Sequence, residues 1–335
     1  MQALTILRPN EATLTDKPNP QPGAGEVAID IAFVGYCGSD LTSYRGLNPL
    51  VSYPRVPGHE ISGTIAELGA GVEAMTIGTP VTVLPYFNCG TCRACRTGRP
   101  NACPNNQTMG VQREGAMTSR IVVPAEKVIP VTGISQRDLA LVEPCAVGFH
   151  AVRRAELTSG ETVVVLGCGM IGLGVILGAL RQGAKVIAVD LSDAKLDVAK
   201  KLGAHEVINA SGDVKARVAE LTGEGPDVVV EAVGAEATFL QAIDLVATAG
   251  RVVYIGYAKA PIAYDTKYFI TKELDIRGSR NALRSDFDDV IDELRKRPEA
   301  GDLIVTRTAT LAEAPEALAT WHERPGDFTK ILVRF

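Results

Sequence analysis

Two rhythms of apolar and polar residues divide the chain. Up to about residue 145 the alternation is short: Val27, Ile29, Ile31 and Phe33 are separated by smaller or polar residues, and pairs such as Pro22-Gly23 and Pro57-Gly58 interrupt the runs. Period-two alternation broken by Gly and Pro predicts strands joined by turns. From about Ala146, apolar runs at 163–166, 185–190, 228–233 and 251–256 are separated by helical stretches. One of these helices is legible by its ends, with Ser192 as N-cap, Leu196, Ala199 and Leu202 on one face, and Gly203 beyond its C-terminus. Strands alternating with helices predict βαβ units around a parallel sheet. The expected class is therefore α/β: a β-rich domain over 1–145, a doubly wound parallel sheet over 146–278, and a segment over 279–335, closing on Ile331-Leu332-Val333, that returns to the first domain.

The uncharged run from Val163 to Leu180 has the length of a membrane-spanning helix, and Gly174 and Gly178 form a GxxxG pair. Five glycines interrupt it, and Val163-Val164-Val165 suits a buried strand better than a helix. A strand, a glycine turn and a helix account for the run, and no membrane partner is expected.

Composition narrows the picture little further. The 335 residues suffice for two cores, and 46% hydrophobic with 22% charged residues is ordinary for a globular protein. A net charge of -5 with no basic stripe argues against nucleic acid as a partner. Residues 1–14 alternate and carry Arg8 and Glu11, unlike a signal peptide, so a cytoplasmic protein is expected.

Cys89, Cys92, Cys95 and Cys103 stand in one polar loop at the spacing of four thiolates around one zinc. Such a site has no open position for substrate and would brace the loop through Zn–S bonds of about 2.3 Å. Cys-x2-Cys-x2-Cys also occurs in iron–sulfur proteins, although there the fourth cysteine follows after three residues and serves a second cluster. A disulfide framework fits poorly with seven cysteines, an odd number.

Gly167, Gly169 and Gly172, with Met170 and Ile171 between them, follow the Val-rich strand and open a helix. Tight turn, close backbone approach and helix N-terminus are thus in register for a pyrophosphate. Asp190, ending the next strand, can accept hydrogen bonds from ribose hydroxyls and would repel a 2′-phosphate, which favours NAD over NADP. Lys195 is a further ribose candidate, and Gly256, ending a later strand, another cofactor contact. Glycines needed only for helix–strand packing are the alternative.

With Cys37-Gly38-Ser39-Asp40, Gly58-His59-Glu60 and Glu143-Pro144 added to the cysteine loop and the glycine turn, the chain resembles the zinc-containing medium-chain dehydrogenases over essentially its whole length. Within them it is most similar to the sorbitol, threonine and sugar-acid dehydrogenases, where Glu-Pro stands at the third zinc-ligand position. The resemblance implies a GroES-like catalytic domain joined to a Rossmann domain, NAD, and two zinc ions per chain. It implies a catalytic zinc on Cys37, His59 and Glu143, with Glu60 either a ligand or just behind and exchanging with water. Asp40 would orient the His59 imidazole, and Ser39 would pass the substrate proton outward. Many relatives carry a histidine where this chain has Thr42. The resemblance gives Cys145, Cys168, His150, His205 and His322 no site role, and packing is expected for them.

Three further segments, 52–55, 151–154 and 278–282, resemble the galactonate- or gulonate-oxidising branch. A sugar acid calls for a cation, and Arg280 first, then Arg45 and Arg113, are the candidates, with Tyr44 as lining and Phe149 as lining or, preferably, core. The expected activity is hydride transfer from a secondary hydroxyl of a polyol or sugar acid to NAD. The alternatives are a simple alcohol dehydrogenase, a zinc-free reductase, or a non-catalytic nucleotide-binding protein on the same fold. A homo-oligomer, dimer or tetramer, is implied.

Overall fold

The alternating residues around Val27–Phe33 form the longest strand, Glu26–Gly35, at the centre of a seven-stranded sheet. The computed structural model describes residues 1–335 and divides them into two units, Met1–Glu143 with Leu294–Phe335, and Pro144–Glu293. Residues 279–293, expected with the returning segment, group with the second unit.

In the first unit the strand order is Val305–Thr310, Lys330–Arg334, Glu26–Gly35, Glu60–Leu68, Pro80–Val83, Val128–Pro130, with Arg120–Pro124 also paired to Glu26–Gly35. Lys330–Arg334 and Glu60–Leu68 both run antiparallel to Glu26–Gly35, and Gly35 faces Leu332 on one side and Glu60 on the other. Residues distant in sequence are thereby set on adjacent strands. Val27, Ile29, Val34, Ile61, Val81 and Ile331 are buried in its core.

The second unit is a six-stranded parallel sheet in the order Glu206–Asn209, Lys185–Asp190, Thr162–Leu166, Val228–Glu231, Arg251–Tyr254, Asp275–Gly278. By sequence rank this is 3-2-1-4-5-6, the doubly wound dinucleotide-binding order. Val164, Ile187, Val229 and Val252 fill the sheet's interior. The helix Met170–Arg181 packs against Val142–Ala155 so closely that β-carbons at Gly174 and Gly178 would lie 3.0 Å from the Cys145 carbonyl oxygen and 3.1 Å from the Phe149 ring. The GxxxG pair therefore serves contact between two packed helices. No helix is long and apolar enough to cross a membrane.

Candidate metal and dinucleotide sites

Cys37 ends the turn after the central strand and caps the helix Gly38–Tyr44, while His59 and Glu60 enter the neighbouring strand. Their ligand atoms all lie within 4.8 Å of one another, and His59 and Glu60 are buried. Room for Glu60 depends on Gly35, where a β-carbon would stand 1.9 Å from Glu60 Oε2. The Lys330 ammonium donates to both Glu60 oxygens, at 2.7 and 2.6 Å, and to the Tyr36 carbonyl at 2.9 Å.

Charge in this pocket is lopsided. Burial opposes an imidazolium at His59, yet Cys37, Asp40 and Glu143 together hold its pKa well above the usual value. Burial, reinforced by Glu143, pushes Glu60 up to about 7 against the pull of Lys330 and His59. Burial likewise raises Asp40. One thiol and three carboxyls thus share two cationic partners, His59 and Lys330. His59 Nδ1 is buried without a hydrogen-bond partner. A sulfur, an imidazole with an orphaned nitrogen and surplus carboxylate charge form a donor set that fits a zinc ion.

Glu143, expected as the third ligand, lies outside the trio, buried, with Oε1 taking the hydroxyl of Tyr86. Asp40, expected to orient His59, instead acts on backbone: Oδ2 accepts from Cys37 N–H at 2.9 Å and Oδ1 from Gly58 N–H at 3.2 Å. The cause is its place three residues after the helix cap, where a carboxylate closes a capping box. Its influence on His59 is electrostatic. Ser39 Oγ is buried and unpartnered, and the Thr42 hydroxyl turns back to the Ser39 carbonyl at 2.9 Å.

The substrate candidates fare differently. Tyr44 is core, its hydroxyl donating to the Asn10 carbonyl at 3.1 Å and its ring edge-on to His322, which corrects its assignment to a pocket wall. Arg45 is held by the Nδ1 and carbonyl oxygen of His322. Arg113 is exposed with its guanidinium 4.0 Å over the Phe87 ring. Arg280 is exposed in the second unit, just after the strand Asp275–Gly278. Lys330 and Tyr86 were missed in the sequence, although a lysine opening the buried run Ile331-Leu332-Val333 was a readable signal.

Cys89, Cys92, Cys95 and Cys103 converge as expected, all four sulfurs within 4.8 Å. Hydrogen bonds from the Thr91 and Cys92 backbone lower the Cys89 thiol to about 5, so it is a thiolate at neutral pH. Four sulfurs with an anionic member, in a loop with almost no apolar burial, fit a zinc ion rather than free thiols. Cys145 and Cys168 are buried apart from both clusters, burial raising Cys168 to about 12.

In the second unit the three glycines have separate tasks. Gly167 turns with φ +97°; a β-carbon on Gly172 would stand 1.8 Å from the Gly167 carbonyl oxygen; at Gly169, the cap of the helix Met170–Arg181, it would meet nothing within 4 Å. The open side is where a pyrophosphate can approach the helix N-terminus. Asp190 is fixed there by N–H donors of Cys168 (2.7 Å) and Ser192 (2.9 Å). Gly167, Asp190, Val233 and Thr238 line a groove of about 290 Å³. Lys195, half-buried in the first turn of Asp193–Lys201, is not among its lining residues. Met170 is buried at the helix start and Ile171 half-buried, while Gly256 packs on Gly234.

Comparison with known proteins shows the family. Residues 23–133 match the alcohol dehydrogenase GroES-like domain and residues 171–296 the zinc-binding dehydrogenase model. An L-galactonate-5-dehydrogenase of Escherichia coli (strain K12) is 36% identical, the match covering 94% of each chain. A sorbitol dehydrogenase of Halalkalibacterium halodurans is 34% identical over 95% of this chain and 94% of its own. The crystal structure of the alcohol dehydrogenase RspB of E. coli CFT073, complexed with NADH, superimposes with a TM-score of 0.93 at 31% identity, covering 100% of this chain and 99% of the other.

Proposed function

Since the chain belongs to the zinc-containing medium-chain dehydrogenase superfamily, near its sugar-acid and polyol branch, we propose that it oxidises a secondary hydroxyl of a polyol or sugar acid to the ketone with NAD. The observation that carries this reading is the trio Cys37, His59 and Glu60 around an orphaned imidazole nitrogen, in a chain that also has a dinucleotide cradle. When bound, zinc supplies Lewis acidity at the carbinol oxygen and NAD accepts the hydride. The chain's own residues do the rest. Cys37 and His59 would hold the ion and Glu60 and Glu143 would complete the donor set, each carboxylate restrained by one partner, Lys330 or Tyr86. The four loop cysteines would hold a second zinc that braces the loop.

Ser39, unpartnered two residues after Cys37, accepts the substrate hydroxyl proton only as it passes its own hydroxyl proton on, acting as a relay rather than a base. Thr42, whose hydroxyl already donates to the Ser39 carbonyl, offers no titratable group at the next position. Asp40 keeps Cys37 and Gly58 in place by their amides and so fixes both flanks of the pocket. Asp190 favours an unphosphorylated ribose, which makes NAD the acceptor rather than NADP. Arg280 and Arg113 are the proposed carboxylate contacts if the substrate is an aldonate. The same reading takes the protein to be a cytoplasmic homo-oligomer.

The test is NADH absorbance across hexitols, aldonates and simple secondary alcohols, with zinc content measured on the same preparation. The reading requires two zinc ions per chain and turnover of a polyol or aldonate above that of simple alcohols. Turnover that survives removal of both ions overturns it, and preference for a simple alcohol favours the alternative activity. NADH binding without turnover of any alcohol marks a nucleotide-binding protein.

A further inference from the structure

Glu231 ends the fourth strand of the parallel sheet and is fully buried, yet neither the glycine turn nor Asp190 touches it. Its Oε1 accepts from the backbone N–H of Val233 at 2.8 Å and of Gly234 at 2.7 Å, and lies 2.7 Å from the Thr238 hydroxyl. That hydroxyl's single proton is shared with the Ala235 carbonyl at 2.9 Å. Oε2 is buried with no partner. It fits only because residue 256 is glycine, where a β-carbon would stand 2.5 Å from Oε2 and 2.4 Å from Gly234 N. Gly234 in turn lies against the backbone of Tyr257, and Val233 is pressed over Gly167, where a β-carbon would be 2.7 Å from its Cγ2. Two loops at the carboxyl end of the sheet, those of Val233 and Gly256, therefore meet over one carboxylate, and Val233 carries the first of them against Gly167. Val233 and Thr238 line the groove together with Asp190, and Val233 is half exposed although apolar.

We propose that Glu231 is a positioning residue for the dinucleotide: it pins the 233–238 turn so that Val233 and Thr238 form the wall of the groove facing Gly167 and Asp190. Backbone N–H groups of a tight turn beside solvent have no regular ladder to fix them, and one oxygen accepting several donors sets their direction as well as their partner. Without it the N–H groups of Val233 and Gly234 lose their acceptor, and the turn is free to drift from Gly167. The inference rests on the nicotinamide-dependent reading above and adds a residue that does not touch the cofactor.

The experiment titrates NADH into the full-length protein by fluorescence, for wild type, Glu231→Ala, Glu231→Gln and Thr238→Val, with melting temperatures of the cofactor-free forms alongside. Glu231→Ala is expected to weaken NADH binding at least tenfold. Glu231→Gln, which keeps an acceptor oxygen for the turn, should recover most of that loss, and Thr238→Val should cost a few-fold. A folded Glu231→Ala that binds NADH within twofold of wild type overturns the proposal. So does a Glu231→Gln no better than the alanine variant at equal melting temperature, since an acceptor oxygen is then not what holds the turn. If Glu231→Ala does not fold, unchanged binding by Thr238→Val overturns it instead. A wild type that binds neither NADH nor NADPH fails at the first titration and ends the underlying reading, whereas wild-type binding with unaffected variants ends only this one.

Discussion

The ammonium of Lys330 lies 2.7 and 2.6 Å from the two oxygens of Glu60, both side chains buried and 270 positions apart. Removing one member of such a pair leaves an uncompensated buried charge, at a cost of about 3–5 kcal/mol. Burial opposes the lysine's charge, but Glu60 beside it holds its pKa above the ordinary value. Lys330→Met should therefore destabilise the chelated protein by about that amount and the zinc-loaded protein by less, because an ion can answer Glu60 in its place. Thermal melts with and without chelator measure the difference, and equal losses in both would contradict it. The double variant Lys330→Met/Glu60→Leu should melt above Lys330→Met alone.

Two glycines only three residues apart should respond in opposite ways. Gly169 has φ -70° and nothing within 4 Å of its missing β-carbon, so Gly169→Ala should leave the melting temperature unchanged or slightly higher. Its NADH affinity should fall about tenfold or more, since the methyl occupies the approach to the helix N-terminus. Gly172→Ala drives a methyl into the Gly167 carbonyl and should fold poorly with or without cofactor.

Metal removal should be readable as thiol chemistry. Of the seven cysteines, Cys145 and Cys168 are fully buried away from both clusters. With both ions in place, a thiol reagent should find almost nothing to react with quickly; after chelation, Cys37, Cys89, Cys92 and Cys95 should become reactive while Cys145 and Cys168 stay slow. Fast reaction of Cys89, Cys92 and Cys95 in the zinc-loaded protein would show that the loop holds no metal.

In the second unit, Asp286 is buried and accepts from His150 Nδ1 (2.8 Å), Arg153 Nε (2.7 Å) and Leu283 N–H (2.7 Å). Burial alone would raise its pKa, but these donors outweigh it and the carboxyl sits below the ordinary value. A carboxylate depressed in the folded state adds stability that is present above its unfolded pKa of about 4 and disappears as pH falls through the folded value. Asp286→Asn should thus lose about 2 kcal/mol near neutral pH, and its deficit against wild type should shrink below about pH 4. A constant deficit across that range in urea melts would refute the linkage.

Much of this was written locally. The three glycines, Asp190 and the four loop cysteines could be read because each depends on neighbours a few residues away, and the structure gathers them as their spacing implied. The Lys330–Glu60 pair could not be read, because it depends on the register of Lys330–Arg334 and Glu60–Leu68 about Gly35, and strand register is set by the whole sheet. Tyr44 was misplaced for a similar reason: it ends the helix that Cys37 begins, so it points toward Asn10 rather than with Ser39. Asp40 was legible as a site residue, but its backbone role follows from its place three residues after a helix cap, which the sequence reading did not weigh.

The first unit is interrupted: residues 144–293 fold as the second unit before the chain supplies Leu294–Phe335. A ribosome that has released residue 143 has delivered the thiol, the imidazole and every carboxyl group of the pocket, but neither the flanking strand of Glu26–Gly35 nor the ammonium that neutralises Glu60. For the time taken to synthesise residues 144–330, the nascent half carries unbalanced negative charge at a cavity shaped for a cation. Early capture of a divalent ion would relieve that imbalance, and the arrival of Lys330 then confines Glu60 to one side of the pocket.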